Sequence, residues 1–416
     1  MFLSEDHLPP SVLGQRDSSA ANWTRADGGL YRSYLQERKS GRAPLLAKAL
    51  YWSGLASVPR NLARGYEIQL EPEEWLPSLR KAPQPKFLIL CYHRVGLGGV
   101  PLYSELAPDL FEAQMRFLKS HYRVLSLDDV CRELKTPTSS EPGVAITFDD
   151  GYRDLYQHAF PVLRKYQIPA TVYLIAQSME SGTVGWYDRI FLALQVLPDG
   201  KLDIELDSVR SYQLSSPLSR FEAALQIIGH LRSLPNFQRK ECCADLENRV
   251  ELPPTELRER ILDWEQVRMM QDEGVSFGSH TFSHPVVSRL SPAELPLELV
   301  DSKRELEVGL STTVRHFAFP FGRAEDVSSE AMDVLAQSQF TSAVTTIPGV
   351  NLPSANPFAL RRVQIGEEHN LPMFAHTLNQ FFLLGDGKRS EQIRQSPFLR
   401  SANVPSVDPL KGTRRA

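Results

Sequence analysis

The chain has 416 residues, which is enough for one large domain with additions or for two domains. Its apolar fraction of 42% and charged fraction of 23% are those of an ordinary globular protein and exclude a chain that is disordered throughout. The formal net charge of -4 leaves no basic excess that could neutralise phosphates, so no nucleic-acid partner is expected.

The four cysteines argue against a thiolate zinc site, because no pair has Cys-x-x-Cys spacing. Cys242 and Cys243 are sequence neighbours and are poorly placed to bridge each other. Cys91 lies in an apolar run, where a small buried hydrophobic residue is expected. This usage suits a reducing compartment.

The N-terminal segment, residues 1–84, is predicted to be a tail with a short helical segment. Met1–Pro10 has neither a basic region nor an apolar one, so we expect no secretory signal and a cytoplasmic location. No apolar run reaches the length of about 20 residues that crosses a bilayer. The nearest, Ala43–Val58, is flanked by basic residues. Two interpretations are open for it: a helix packed on the main domain, or an interfacial helix in peripheral contact with an anionic membrane.

Four prolines between residues 71 and 85 predict a linker, and the main domain is predicted to span 85–370. Apolar runs with β-favouring residues and segments with helical spacing alternate in this domain. In chain order we predict a strand at 87–92, a helix at 108–120, strands at 122–125 and 144–148 around a helix at 127–134, a helix at 153–166 with a bend or restart at Pro161, and a strand at 170–175; then a helix at 264–273, a strand at 275–278, a helix at 291–309, a strand at 316–319, a helix at 328–337 and a strand at 340–345. This alternation predicts an α/β fold with a parallel sheet wrapped by helices.

Two segments depart from the alternation. The stretch from about 182 to 263 contains helical patterns without a strand–helix rhythm, and we predict a helical insertion there. Residues 371–416 are predicted to be a C-terminal helix followed by a disordered tail.

The first candidate site follows the strand at 144–148, which ends in Asp149-Asp150-Gly151. Carboxylates at the C-terminal end of a parallel strand lie where such folds place their active sites. Two adjacent aspartates repel each other unless a cation separates their roles, one binding the metal and the other remaining free as a base. A solvated Asp-Asp-Gly turn is the alternative.

The second candidate site follows the strand at 275–278 and contains His280 and His284. Histidines four residues apart converge on one side of a helical turn and can reach one metal ion. Two histidines with one aspartate supply three protein ligands and leave a position for water, which is the pattern of a catalytic zinc site.

These segments resemble the polysaccharide deacetylase family, also called carbohydrate esterase family four or the NodB-homology family. Its TFDDG motif is present at 147–151, and its H-[ST]-x-x-H motif at 280–284. The resemblance covers about 87–369, apart from the insertion. It implies a distorted (β/α) barrel of the NodB-homology type. It also implies that Asp149 is the general base and that Asp150, His280 and His284 hold the divalent metal, most simply Zn²⁺.

The third family motif is altered in this chain. Ala318 stands where the family usually has an arginine that steadies the catalytic aspartate, although the aromatic-Pro-aromatic-Gly ending is kept. That ending resembles a branch associated with surface and capsular polysaccharides. Arg315 and Arg362 are the two candidates for the missing arginine. The resemblance further implies that the backbone N–H near Phe321 helps to bind the oxyanion.

Two further parts of the site are predicted with alternatives. His369 follows an alternating apolar segment, as the general acid does in the family; His93 is the other candidate acid or a substrate-binding residue, and an exposed His369 without a role is the third possibility. Trp186 and Tyr187 begin the insertion. They are expected either to offer faces on which sugars stack, in one wall of the substrate cleft, or to pin the insertion to the barrel.

The sequence therefore predicts a metal-dependent hydrolase that removes N-acetyl groups from N-acetylated sugar units of a polysaccharide or oligosaccharide. The metal would lower the pKa of a water, Asp149 would take its proton, and a histidine would protonate the leaving amine. Two alternatives remain at this point. The same machinery could act on a non-sugar amide or an O-acetyl ester, or the domain could bind glycans without catalysis.

Overall fold

The computed structural model describes residues 84–96, 105–205, 208–250, 252, 260–367 and 369–382. The predictions for the N-terminal tail, for Ala43–Val58 and for the C-terminal tail lie outside these residues. Within the described part of the chain, no helix is long and apolar enough to cross a membrane.

One curled parallel sheet is the centre of the fold. Its strands are β1 Phe87–Tyr92, β2 Arg123–Val124, β3 Gly143–Phe148, β4 Ala170–Leu174, β7 Ser276–Ser279, β8 His316–Ala318, β9 Ser342–Val344 and β10 Val363–Gln364. They lie in the order β10-β1-β3-β4-β7-β8-β9, and β2 pairs with the beginning of β3. A bridge between Val344 and Leu360 joins β9 to the segment that leads into β10, so the sheet curls into a half-barrel. The predicted α/β class with a distorted barrel is confirmed.

Helices cover the outside of this sheet, and polar residues fix where several of them begin. The side chain of Ser126 accepts the backbone N–H of Asp129, and Asp263 forms a capping box with Gln266, as expected at helix N-termini. Gly274, with φ +93°, follows the helix that Asp263 begins. The helices are α1 Pro108–His121, α2 Leu127–Lys135, α3 Phe160–Tyr166, α4 Ala176–Ser181, α5 Trp186–Val196, α6 Pro217–Leu231, α7 Asn236–Glu247, α8 Trp264–Asp272, α9 Ser302–Leu310, α10 Ser329–Gln337 and α11 at 371–382.

Two of the predicted helices contain a wider π-helical turn. Leu155–Ala159 is π-helical and leads into α3, whose first turn contains Pro161. Proline lacks an N–H and crowds the preceding carbonyls, so the helix restarts there. The second case is Leu297–Asp301, between a single turn at Glu294–Pro296 and α9. A π-helical turn inside an α-helix often marks a functional position.

The main core lies on both faces of the sheet. β1 and β3 are buried along their whole length, as expected for strands covered on both sides. The side chains of Phe374, Leu378 and Phe382 on α11 belong to the same core. The domain predicted to end at 370 therefore continues through this helix.

The insertion has its own core and is not purely helical. Between α5 and α6 the chain forms an antiparallel hairpin of β5 Gly200–Glu205 and β6 Val209–Leu214. Leu202, Ile204, Tyr212 and Leu214 alternate inward into a second hydrophobic cluster with α5, α6 and α7. The prediction of a helical insertion missed this hairpin because each strand has only two inward apolar residues, too few for a clear alternating pattern.

Candidate active site

Asp149 and Asp150 lie directly after β3 and are both 2% exposed. The backbone N–H of Asp149 donates to the carbonyl of Tyr92 at 3.0 Å, which continues the pairing of β3 with β1. Asp150 and Gly151 then take positive φ values of 71° and 70°, and a Cβ at Gly151 would lie 2.7 Å from the side chain of Leu174. This turn requires glycine at its second position and separates the two carboxylates.

His280 and His284 follow β7 on an irregular loop, not on the helical turn predicted from their spacing. Thr281 and His284 both have positive φ, at 68° and 60°. The Thr281 hydroxyl accepts the backbone N–H of His284 at 2.9 Å, and the His280 N–H donates to Leu174 at 2.8 Å. The two imidazoles meet because this loop folds back on itself.

Asp150, His280 and His284 converge on one point. The Asp150 Oδ1 atom lies 3.5 Å from His280 Nε2 and 3.4 Å from His284 Nε2. Ligands bound at roughly 2.0–2.1 Å in a tetrahedron are separated by about 3.3 Å. Asp150 Oδ1 is also a buried oxygen without a hydrogen-bond partner in the described structure. The three residues therefore fit a divalent metal.

The protonation states also suit metal binding. The His280 Nδ1–H donates to the Ala318 carbonyl at 2.8 Å, which leaves the lone pair of Nε2 facing Asp150. Burial lowers the pKa of His280 to about 4, so the ring is neutral near pH 7. Burial opposes ionisation of Asp150, but the two neighbouring imidazoles outweigh it and hold its pKa below the usual range.

A second group of potential ligands fits a metal less well. Cys91, His93 and Asp149 have one ligand atom each within 4.8 Å of the others. Burial raises the pKa of the Cys91 thiol well above its usual value, whereas metal binding requires a thiolate. Both oxygens of Asp149 are already engaged by Arg362.

Arg362 is completely buried and forms a bidentate ion pair with Asp149, with both N–O distances at 2.7 Å. Its Nε donates to the carbonyl of Thr345 at 2.8 Å, which fixes the plane of the guanidinium. Burial alone would raise the pKa of Asp149, but the charge of Arg362 outweighs it and holds that pKa well below the usual range.

Arg315 does not reach the site. Its side chain is 58% exposed and lies 3.6 Å from Asp128, just before β8 begins. Its exposed guanidinium therefore faces Asp128 on α2 and not the buried carboxylate of Asp149. Of the two arginines proposed from the sequence, only Arg362 contacts Asp149.

Phe321 lies in a tight turn beside the histidines. Its φ is 60°, and the following Gly322 also has positive φ. The Phe321 ring centroid lies 4.9 Å from the ring of His284, and Thr346 bonds to the carbonyls of Phe321 and Gly322. The turn is therefore pinned next to the candidate metal ligands, where the backbone N–H of Phe321 was expected.

The structure brings His93 to Asp149 and gives His369 a different setting. His93 follows β1, and a ring nitrogen lies within 4.8 Å of a carboxylate oxygen of Asp149. His369 is 1% exposed, and its Nδ1 accepts the backbone N–H of Gly366 at 3.1 Å. The alternative in which His369 is exposed is therefore wrong.

Trp186 and Tyr187 anchor the insertion. Trp186 is 3% exposed, and its Nε1–H donates to the carbonyl of His284 at 2.9 Å. The ring of Tyr187 lies 4.6 Å from the ring of His284. The insertion thus lies beside the candidate site, but the buried ring of Trp186 offers no open face to a sugar. The pinning alternative matches this geometry, and the stacking one does not.

Comparisons with known proteins agree with these motifs. A family described as Polysaccharide deacetylase matches residues 136–342. This part of the chain belongs to the polysaccharide deacetylase family. The Bacillus subtilis (strain 168) protein YxkH, whose name places it among polysaccharide deacetylases, is 23% identical over 304 residues, which cover 73% of this chain and 79% of that protein.

Other relatives are more distant or shorter matches to this deacetylase region. The poly-beta-1,6-N-acetyl-D-glucosamine N-deacetylase of Staphylococcus aureus is 39% identical over 141 residues, 30% of this chain. The match spans about half of that enzyme, 48%. Among solved structures, the Streptococcus pyogenes deacetylase PplD in complex with acetate has a TM-score of 0.49 and 22% identity, covering 72% of this chain and 99% of that one. IcaB from Ammonifex degensii has a TM-score of 0.47 and 20% identity, covering 71% and 97%.

The loop that contains His280 and His284 is held by a residue that the sequence analysis did not identify. Glu298, in the second π-helical turn, is 3% exposed. Its carboxylate accepts the backbone N–H of Ser283 at 2.8 Å and the Ser283 hydroxyl at 2.6 Å, and its carbonyl accepts the N–H of Phe282. A glutamate on the same helix face as Leu295 and Leu299 was the available sequence signal.

Asp188 was also missed. It is 2% exposed on α5, and its Oδ2 accepts the Tyr152 hydroxyl at 2.7 Å, linking the insertion to the residue after Gly151. Burial raises the pKa of Asp188 to about 7, and the charge of Asp150 adds to the increase. A charged residue within the apolar helix that follows Trp186 was the signal for it.

Proposed function

We propose that this protein is a metal-dependent deacetylase that removes N-acetyl groups from sugar units of an N-acetylated polysaccharide or oligosaccharide. The observation that carries the proposal is that two adjacent aspartates at the end of β3 have different partners. Asp150 faces the imidazoles of His280 and His284, while Asp149, the next residue, is held by Arg362. The likeness to a poly-N-acetylglucosamine deacetylase supports an N-acetylated glucosamine polymer as the substrate class.

Asp150, His280 and His284 would hold the metal, and zinc is the ion we propose, because imidazole and carboxylate ligands in a set of three suit a catalytic zinc site. When bound, the ion lowers the pKa of a water and polarises the acetyl carbonyl. The Nδ1–H of His280, held by Ala318, keeps the ring in the tautomer that presents Nε2.

Asp149 is proposed as the general base that accepts the proton of the attacking water. Its low pKa keeps the carboxylate ionised at neutral pH. Arg362 fixes the direction of both oxygens and supplies the charge that Ala318 cannot. The altered third motif therefore gives no support to an inactive glycan-binding domain.

The tetrahedral oxyanion requires a donor, and the backbone N–H of Phe321 is proposed for it. The positive φ of Phe321 and the bonds from Thr346 hold this turn in place before substrate binds. Such a fixed donor does not need to reorganise during the reaction.

The departing amine requires a proton, and His93 is proposed as the general acid. A ring nitrogen of His93 lies within 4.8 Å of a carboxylate oxygen of Asp149. An acid next to the base can reach the nitrogen that leaves after the water has attacked. His369 is the alternative. Its Nδ1 is occupied as an acceptor of the Gly366 N–H, so only its Nε2 could donate.

The proposal is tested by acetate release from N-acetylglucosamine oligosaccharides, with purified protein that has been stripped of metal and then titrated with zinc. Release that depends on added metal is expected, together with free amino groups on the product sugar. Matched incubations with an O-acetylated sugar and with a non-sugar acetamide separate the alternatives. Activity on the ester or the simple amide alone would overturn the sugar N-deacetylase assignment.

A further inference from the structure

A cavity of about 480 Å³ lies between the insertion and the loop that follows the two histidines. Ser233, Pro235 and Phe237 line it from the insertion side, and the segment from Ser288 to Glu294 lines the other. Pockets that bind small ligands have volumes of about 300–1,000 Å³. The space is therefore large enough for a sugar unit of a polymer.

A hydrogen-bonded junction between the insertion and the segment after the histidines borders this cavity. The Asn236 side-chain amide donates to Glu294 at 2.8 Å, and the other carboxylate oxygen of Glu294 accepts both the N–H and the hydroxyl of Ser291. Asn236 is 2% exposed although the neighbouring Phe237 is 57% exposed. Glu294, which lines the cavity, is therefore held from both sides, and the ring of Phe237 is open to solvent.

Two short segments connect the cavity to the candidate active site. His284 and Ser288 lie on one loop, and the Ser288 hydroxyl donates to the carbonyl of Glu325 at 2.7 Å. The next connection is Arg232, whose guanidinium carbon lies 3.8 Å from the ring centroid of Phe321. Ser233, the next residue, lines the cavity. The cavity therefore begins four residues after His284 on one side and one residue after Arg232 on the other.

The cavity has the chemistry of a sugar subsite. An exposed aromatic ring offers an apolar face to the C–H groups of a pyranose, and aromatic residues with one open face are typical of recognition surfaces. Arg289 also lines the cavity, and its guanidinium makes no ion pair with a described residue, so its N–H groups can donate to sugar hydroxyls. We propose that this cavity is a subsite for a sugar unit distant from the scissile acetamide, with Phe237 as its stacking platform.

This inference rests on the proposed function, because it assigns the insertion the task of selecting long substrates. It also explains the buried position of Trp186: Trp186 anchors the insertion, and Phe237, two helices later, presents an aromatic face. The next exposed large apolar residue near the cavity, Leu297, has no ring to stack on a sugar.

The test compares the hexasaccharide and the disaccharide of N-acetylglucosamine as substrates of the zinc-loaded protein. Phe237→Ala is expected to raise KM for the hexasaccharide about tenfold relative to KM for the disaccharide, since an aromatic contact contributes roughly 1.4 kcal/mol. Phe237→Trp should restore the preference for the long substrate. Val308→Ala, a change at a residue that is 74% exposed and does not line the cavity, serves as the control with unchanged kinetics.

A direct binding measurement separates failure of the subsite from failure of the proposed activity. Hexasaccharide binding is measured by calorimetry with the Asp149→Asn protein, with and without Phe237→Ala. If the wild-type protein is active but Phe237→Ala affects both lengths equally, the subsite is wrong and the activity stands. If no acetate is released but Phe237→Ala weakens hexasaccharide binding, the subsite stands without the activity. No binding and no release would overturn both.

Discussion

Arg362 and Asp149 are 213 positions apart in the sequence and form the most buried ion pair of the site, with both guanidinium NH₂ groups 2.7 Å from the two carboxylate oxygens. Arg362 lies just before β10, and Asp149 lies just after β3, with β1 between these two strands. The charge that the family usually supplies from the third motif is therefore supplied here from across the sheet. Removing one partner of such a buried ion pair lowers the free energy of unfolding of the protein by about 3–5 kcal/mol.

Arg362→Lys is expected to lower kcat/KM about 10- to 100-fold, because lysine cannot bond both oxygens of Asp149 and orient them. The positive charge then offsets the burial of the carboxylate less completely, so the pKa of Asp149 rises. A base with a higher pKa becomes protonated at a higher pH, and the acid limb of the kcat/KM profile should move upward. Arg315→Lys is the matched control and should leave the profile unchanged. An equal loss in both variants would contradict the role of Arg362.

The two neighbouring aspartates should separate cleanly. Asp149→Asn is expected to abolish acetate release while metal content stays near one per chain, because asparagine has nearly the same shape but cannot accept the proton of water. Asp150→Asn should lose metal and activity together. Metal is measured by mass spectrometry after desalting, and folding by thermal unfolding. Loss of metal from Asp149→Asn alone would mean that the two roles are reversed.

Glu298 should affect metal binding through the histidine loop. Glu298→Ala removes the acceptors of the Ser283 N–H and hydroxyl, so the loop becomes less ordered and zinc affinity should fall about 10- to 100-fold. Glu298→Gln should restore most of it, since the amide oxygen can accept the N–H and the amide nitrogen can donate to the Ser283 hydroxyl. Competition with a chromogenic chelator measures the affinity. The same zinc affinity in Glu298→Ala and the wild type would exclude a positioning role.

The general acid can be identified with two kinds of leaving group. An amine must be protonated to leave, whereas 4-nitrophenolate leaves without help. If His93 is the acid, His93→Ala should lower turnover of an N-acetyl sugar by about 100-fold or more and that of 4-nitrophenyl acetate far less. His369→Ala should not show this difference between the substrates. The opposite pattern would assign the acid to His369.

Asp188 should make the stability of the metal-free protein depend on pH. Its pKa in the folded state is about 7, against 3.8 for the free side chain, so the folded state holds the extra proton. The stabilisation is complete below about pH 4 and is lost as the pH rises through 7. Asp188→Asn keeps an acceptor for Tyr152 but does not titrate. Between pH 4 and pH 8 the free energy of unfolding of the wild type should therefore fall relative to that of the variant, by at most about 4 kcal/mol. Urea titrations of both proteins at pH 4 and pH 8 measure these free energies. The same difference between variant and wild type at both pH values would contradict the prediction.

The backbone conformation of the site could not be obtained from residue spacing. Seven non-glycine residues in the described ranges have positive φ, and four of them, Asp150, Thr281, His284 and Phe321, lie at the site. The i, i+4 spacing of the histidines suggested a helical turn, yet two left-handed residues fold the loop instead. Such conformations persist because tertiary contacts hold them, and they are concentrated at functional sites.

The sequence alone determined the α/β class, because buried strands and amphipathic helices have different apolar periods and alternate along the chain. It also located Asp149, Asp150, His280 and His284, since these residues directly follow apolar strands whose ends share one edge of a parallel sheet. Only the tertiary structure decided between Arg315 and Arg362, between Trp186 as a platform and as an anchor, and whether His93 lies beside Asp149. Each of these depends on which strands are neighbours and on how far a side chain is buried, and contacts between residues more than 50 positions apart leave no local pattern in one sequence.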